Sequence, residues 1–349
     1  MSLSVGLIGL PNVGKSTLFN AILKRQLAKV AVYPFTTIEP HEGTIDIPDE
    51  RLTTLTLMVK PEKSTPATIT FIDIAGLVRG AHKGEGLGNE FLGHIRQVDA
   101  ILHVVRAFES TQALHPLGTV DPERDIEIIN TELLLKDLDT VEKLIDKEND
   151  QEKKELLIKI KEAINSGTPV RNIQFTHEEE IVVKDYQFLT KKPLFFVLNI
   201  SENELASAKV KKLESKDFLV ICAKLEADLI ELAPIERTEY LKATGISQTG
   251  LEKVLREAYS ILDLITFFTI KGGKEVRAWP VKTGTLTLEA AGKVHTDFEK
   301  HFIRAEVISF SEFAKLGSWH NAKEQGKITT VGHDYIIKNG DVVEFKVGV

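Results

Sequence analysis

The sequence predicts an α/β chain: a parallel sheet with helices on both faces, an inserted helical hairpin, and a small α+β module at the C-terminal end. Three observations carry this. Across residues 1–125 and 190–265, short β-branched runs (SVGLIG, ATITFID, AILHVV, PLFFVLN, FLVICA) alternate with helical patterns. That alternation is the signature of parallel strands joined by helical crossovers. Across 126–189 the strand runs stop, and from 266 strand-like runs return with a different texture.

The first strand, SVGLIG, runs into GLPNVGKST at residues 9–17, and the helix-forming LFNAIL follows. This is G-x-x-x-x-G-K-[ST] between a strand and a helix, the context of a phosphate-binding loop. Its glycines let backbone N–H groups curl around phosphates, and the next helix adds its positive N-terminal end. A chance match in a glycine turn is the bland alternative, and the flanking strand and helix argue against it. In the phosphate-loop reading Lys15 reaches the β- and γ-phosphates and the Ser16 hydroxyl ligates Mg²⁺.

The next strand, ending FIDIAGL, supplies Asp73 and then Gly76. D-x-x-G alone is common. In register after a phosphate loop, it lets Asp73 hold the metal's water shell while the Gly76 N–H senses the γ-phosphate. Between the two lies YPFTTIEP, where Thr36 or Thr37 completes the Mg²⁺ shell. Position 77 is Leu, which cannot orient an attacking water as Gln does at this place in many nucleotide switches. Intrinsic turnover is therefore expected to be slow, or another group must act. His82 in GAHKGEGLG and His115 in QALHPLG are candidates, and each has a bland reading as a surface loop histidine.

In the insertion, Leu134, Leu138, Val141 and Ile145 recur at spacings of four, three and four, one stripe of a long helix. After the polar break DKENDQEKK, Leu157, Ile160 and Ile164 resume helical spacing. An antiparallel hairpin over 126–189 follows, read as projecting from the α/β unit rather than packing flat on it. In the C-terminal module, FFTIKG, EVRAWPV and DYIIKNGDVVEFKV read as strands, KNGD as a turn, and HTDFEKHFIRA as a short helical piece. Phe267, Phe268 and Trp279 could stack on bases, but core packing of a small β-rich module is the stronger reading.

After PLFFVL, a guanine reader carries Asn-Lys-x-Asp, whose Asp carboxylate accepts two N–H bonds from the base. Here the tetrad is Asn199, Ile200, Ser201 and Glu202. Glu202 is one methylene longer, and Ile200 offers apolar cover without charge. A lost hydrogen-bond pair in a closed site costs roughly 1–3 kcal/mol per unsatisfied group, enough to remove a guanine preference. Adenine, with its N6 donor and N1 acceptor, can be met by backbone and Asn199 groups.

Composition narrows the classes further. The 349 residues suggest two or three units, and 42% apolar with 27% charged residues is ordinary for a soluble globular chain. The single cysteine, Cys222, excludes an internal disulfide framework, fits a reducing cytosol, and sits in a strand-like run as inert core. LSVGLIGL reads as a first strand, not a signal peptide, and no apolar run approaches a membrane span. The net charge of −7 argues against general nucleic-acid affinity and DNA binding, although residues 266–349 alone carry +2 and the remainder −9.

GLPNVGKST, YPFTTIEP, DIAGLV with GAHKGEGLGNEFL, NISE and AAGKVHTDFEKHFIRAE together resemble the YchF / Obg-like ATPase family, over essentially the whole chain. The resemblance implies a Ras-like P-loop NTPase domain (1–125 and 190–265) interrupted by a coiled-coil hairpin (126–189), then a β-grasp TGS domain (266–349). It implies ATP preference, Mg²⁺ dependence, slow hydrolysis and association with ribosomes; the expected cytoplasmic location rests instead on the lone cysteine and the lack of a signal or membrane segment. By match to the family's motifs, Asn12, Val13, Gly14, Lys15, Ser16 and Thr17 bind phosphate, Ser16 and Thr37 ligate Mg²⁺, and Asn199 and Ile200 face the base. Leu77 matches a hydrophobic residue in place of catalytic Gln, and His115 rather than His82 matches a histidine tied to hydrolysis. Asn12 is a candidate K⁺ ligand, as in related switches. Lys224 departs from the small residue of many relatives in the last base-side loop, which touches the ring through backbone. A GTP switch, or a binding module in which ATP is structural, are the competing readings. The hairpin and the TGS unit are the expected partner surfaces.

Overall fold

A computed structural model describes residues 3–30, 42–74, 87–111, 113–205, 218–246 and 248–348. The chain divides into two compact units, Met1–Ile45 with Thr70–Ile261, and Asp46–Ile69 with Leu262–Val349.

The first unit is built on strands β1 (Ser4–Ile8), β2 (Glu42–Asp46), β4 (Thr68–Asp73), β5 (Ala100–Arg106), β6 (Leu194–Asn199) and β7 (Phe218–Ile221), in the order β2-β4-β1-β5-β6-β7. The pairs β4–β1, β1–β5, β5–β6 and β6–β7 are all parallel. Every residue of β1 and β5 is buried. Parallel strands covered on both faces have no solvent side, so they read as continuous apolar runs rather than alternating ones. Helices α1 (Lys15–Val30) and α3 (Leu87–Gln97) follow β1 and β4 in the chain.

The insertion opens earlier than expected. Helix α4 (Pro122–Ile145) starts with Pro122 in its first turn and Asp121 as N-cap, the carboxylate accepting from the Arg124 N–H. Residues 146–150 lead to α5 (Gln151–Asn165), again capped by an aspartate, Asp150. Val141, Leu156, Leu157, Ile160 and Ile164 close over Val170, Val183 and Phe188, so the hairpin has a small core of its own. Helix α6 (His177–Asp185) completes it with a capping box between Thr176 and Glu179. Buried Asp137 accepts from the Leu189 and Thr190 N–H groups and the Thr190 hydroxyl, which fixes the return of the chain to β6. After β7 come α7 (Ala223–Glu231), α8 (Pro234–Thr244) and α9 (Gly250–Ile261).

The second unit holds a mixed sheet, β11-β10-β12-β8-β9-β3. Its strands are β3 (Lys63–Thr65), β8 (Leu264–Lys271), β9 (Glu275–Lys282), β10 (Phe302–Ser309), β11 (Thr329–Val331) and β12 (Asp341–Val347). Side chains alternate between two cores. Phe267, Val307 and Val343 face one with Ala290 of α10 (Thr287–Val294), while Phe268, Ile308 and Val342 face the other. That second core includes Leu52 and Leu55 of α2 (Glu50–Val59) and Phe313 and Ala322 of two short helices, Phe310–Leu316 and Trp319–Glu324. The residues 46–69, expected within the nucleotide unit, thus belong to this one: β3 pairs parallel with β9, and α2 buries its apolar face on the sheet. HTDFEKHFIRA is likewise divided. Thr296–Lys300 is a short helix, but Phe302 onward is β10. Phe267 and Phe268 are fully buried, and Trp279 stacks on Phe267 with its indole N–H given to Thr269 Oγ1, so these aromatics are packing residues.

Candidate nucleotide site

The C-terminal ends of the parallel strands gather most of the predicted residues, the usual place for a ligand in an open α/β sheet. Residues 9–14 turn from β1 into α1, and Lys15 is the first residue of that helix. Two positions in the turn have positive φ, Asn12 at 63° and Gly14 at 90°. Gly14 is required twice over: L side chains rarely adopt its φ, and a Cβ there would lie 2.2 Å from Asn199 Nδ2. Val13 points inward and is buried, while Asn12, Ser16 and Thr17 are exposed at the mouth.

Lys15 Nζ donates to Asp73 Oδ1, and Ser16 Oγ lies 3.2 Å from Asp73 Oδ2. Only about a tenth of either charged side chain is exposed, 10% for Lys15 and 11% for Asp73. A phosphate would compete with this carboxylate for the same ammonium. The Ser16 hydroxyl and Asp73 carboxylate are hard oxygen donors side by side, a donor set that suits Mg²⁺, which takes one or two protein oxygens and completes its shell with phosphates and water. These residues would hold the metal, which when bound neutralises charge on the β- and γ-phosphates.

Asn199, at the end of β6, donates Nδ2–H to the Val13 carbonyl at 2.9 Å and accepts the Ala223 N–H on Oδ1 at 2.9 Å. It is buried and joins the phosphate loop, β6 and the start of α7. Ile200 is 4% exposed and packs with Val105, Leu198 and Val220. Its side chain belongs to the core, and its N–H goes to the Ile221 carbonyl at 2.8 Å. Glu202 is exposed, and its Oε1 accepts the Tyr240 hydroxyl at 2.9 Å. Cys222 is buried, burial raises its thiol pKa, and Lys224 is exposed. Thr36, Thr37, Gly76, Leu77 and His82 lie outside the described residues.

The loop after β5 adds groups that sequence reasoning did not single out. Arg106, the last residue of β5, is buried; its guanidinium donates to the Phe108 carbonyl at 3.0 Å and the Asn12 carbonyl at 3.3 Å and stacks on the Phe108 ring at 4.5 Å. An arginine ending an otherwise apolar strand was the available signal. The Asn12 amide in turn donates to the Leu114 carbonyl at 3.1 Å. His115 follows and is buried, its Nε2 2.7 Å from Asp125 Oδ2. His115 Nδ1 accepts the Leu117 N–H at 3.1 Å. The structure therefore brings Lys15, Ser16 and Asp73 together, ties Asn199 to Val13, and sets the His115 loop against Asn12, while Ile200 packs into the core and Glu202 is held at the surface by Tyr240.

A glycine-bearing turn between a buried strand and a helix, with the lysine and serine of that helix on an aspartate from the neighbouring strand, defines a P-loop nucleotide-binding protein. Residues 4–173 match a family described as a 50S ribosome-binding GTPase, and residues 264–348 match the YchF-GTPase C-terminal family, described as a protein of unknown function. The chain belongs to the YchF family: it is 45% identical to the ribosome-binding ATPase YchF of Bacillus subtilis and 44% identical to that of Haemophilus influenzae, in each case over 100% of both chains. It is also similar to the solved structure of the Schizosaccharomyces pombe YchF GTPase, with a TM-score of 0.88 and 34% identity over 99% of this chain and 98% of that one.

Proposed function

We propose that this protein is a Mg²⁺-dependent ATPase that acts as a slow conformational switch on ribosomes in the cytoplasm. The observation that carries the choice of base is the tetrad Asn199-Ile200-Ser201-Glu202, in which the longer carboxylate is held by Tyr240. The bacterial relatives named as ribosome-binding ATPases support the substrate and the partner together. In this reading Asn12 to Thr17 cradle the phosphates, with Lys15 on the β- and γ-phosphates. Ser16, Thr37 and Asp73 serve Mg²⁺, the Gly76 N–H meets the γ-phosphate, and His115 takes part in hydrolysis in place of the Gln that Leu77 replaces. Backbone groups read the adenine edge, and Asn199 braces the strand end beside them. The hairpin (126–189) and the C-terminal module, read as a TGS domain, supply the ribosome contacts, and Asn12 accommodates K⁺. A turnover rate unchanged when Na⁺ replaces K⁺ would remove the last point.

A GTP-dependent switch is the second reading, favoured by the S. pombe relative's description as a GTPase. Calorimetric titration with Mg²⁺-bound ATP and GTP analogues decides between them. Preference for the ATP analogue is expected, and preference for GTP would overturn the assignment of the base. Steady-state turnover by His115→Ala tests the assignment of the histidine, with a large loss expected.

A further inference from the structure

The one fully enclosed pair of titratable groups beside the phosphate loop, among the described residues, is His115 with Asp125, each side chain only 2% exposed. Neither ring nitrogen of His115 is open to another partner. Nδ1 accepts the Leu117 N–H, so it carries no hydrogen, and the ring proton sits on Nε2, aimed at Asp125 Oδ2. The other oxygen of Asp125 accepts from Arg124 Nε and Nη2, and Arg124 also donates to the Thr119 hydroxyl and carbonyl. The histidine loop is thus closed onto the first turn of α4 by a buried charged acceptor, the stronger kind of hydrogen bond. One residue earlier the same loop meets Asn12 of the phosphate loop.

We propose that Asp125 is a positioning residue that holds His115 out of action, so that hydrolysis requires this bond to open. The proposal rests on the reading that His115 takes part in hydrolysis. In the arrangement described, His115 has no nitrogen with which to bind or orient a water. The acceptor that occupies it stands on the helix leading into the hairpin, so a partner that shifts the first turn of α4 would free the ring. Slow intrinsic turnover then has a second cause besides the leucine at position 77: the group that replaces glutamine is engaged elsewhere.

The test compares Asp125→Asn, His115→Ala and the double variant in the full chain, measuring turnover of Mg²⁺-ATP and the Kd of a non-hydrolysable ATP analogue. Asp125→Asn keeps shape but removes the charge, so turnover is expected to rise about tenfold, the equivalent of ~1.4 kcal/mol. The analogue's Kd should stay within about twofold, since a merely structural lesion in the phosphate loop would weaken binding as well. The double variant should fall to the level of His115→Ala. A drop in turnover in Asp125→Asn, or a rise that survives in the double variant, would overturn the proposal. A wild-type rate in His115→Ala alone would instead remove the reading beneath it. A measurement on the unaltered chain stands beside these in case the variants do not fold. Nitrogen-15 spectra of labelled histidine should show the Nε2–H form with strong bonding to carboxylate in the free protein, and its loss with Mg²⁺-ADP and aluminium fluoride. Persistence of that signal in the fluoride complex would equally overturn it.

Discussion

The Asn199 side chain spans from the Val13 carbonyl to the Ala223 N–H, so one buried amide fixes the base-side strand against the phosphate loop. Asn199→Ala would leave both backbone groups without their partner, at roughly 1–3 kcal/mol for each buried group. The expected result is a fall in thermal stability together with weakened binding of ATP and GTP analogues by similar factors. A selective loss of ATP alone, read by calorimetry, would show Asn199 to be a base reader first and a brace second.

Glu202 is tied to Tyr240 rather than aimed by its own strand. Shortening it, Glu202→Asp, breaks that bond and restores the carboxylate length of guanine readers. The ratio of GTP to ATP affinity is expected to rise, by roughly tenfold or more for one charged hydrogen bond gained. Tyr240→Phe should shift the ratio the same way but less. Competition of labelled ATP by GTP measures both, and an unmoved ratio would place discrimination in the backbone.

Much of the first unit was legible because its buried strands are continuous apolar runs whose meaning is local. β1, β4, β6 and β7 fall within the runs read as strands, β5 exceeds its run only by Arg106, and the stripes Leu134–Ile145 and Leu157–Ile164 mark α4 and α5. What the sequence concealed depends on partners distant in the chain. β3 is three residues, KST, with no alternating pattern, and it is a strand only because β9 lies beside it. The helix start at Pro122 was readable from its Asp-Pro pair, yet the stripe that marked the insertion begins only at Leu134, about three turns later. At the site, the glycines, Lys15, Ser16 and Asp73 announce themselves by spacing. Arg106, Asp125 and Tyr240 do not, since each acts on a group that only the fold brings near.

Lys15→Ala removes the ammonium shared by Asp73 and an incoming phosphate. A hydrogen bond to a charged group contributes about 1.5–3 kcal/mol, so affinity for Mg²⁺-ATP should drop by roughly ten- to a hundredfold. Turnover should drop further. If ribosome co-sedimentation in the presence of ATP is unchanged in this variant, nucleotide turnover is not what controls docking.

His103 gives the fold a predictable response to acid. It lies in the middle of buried β5 against Phe196, its Nδ1 has no hydrogen-bond partner among the described residues, and burial, aided by Arg171, lowers its pKa from 6.5 to about 3. Between those values the unfolded chain binds a proton that the folded chain refuses. Stability from this group is therefore fully present above the unfolded value and is lost as pH falls toward 3, at up to about 1.4 kcal/mol per pH unit. Buried Asp137 and Glu226, whose pKa values burial raises, act in the opposite sense and are common to wild type and variant. Replacing the ring by an apolar side chain, His103→Leu, should leave a cavity cost at neutral pH but flatten the decline between pH 6.5 and 5. Urea unfolding of both proteins across that range reads the difference directly. Parallel slopes would mean that the imidazole becomes protonated inside the fold, with β5 yielding to admit water.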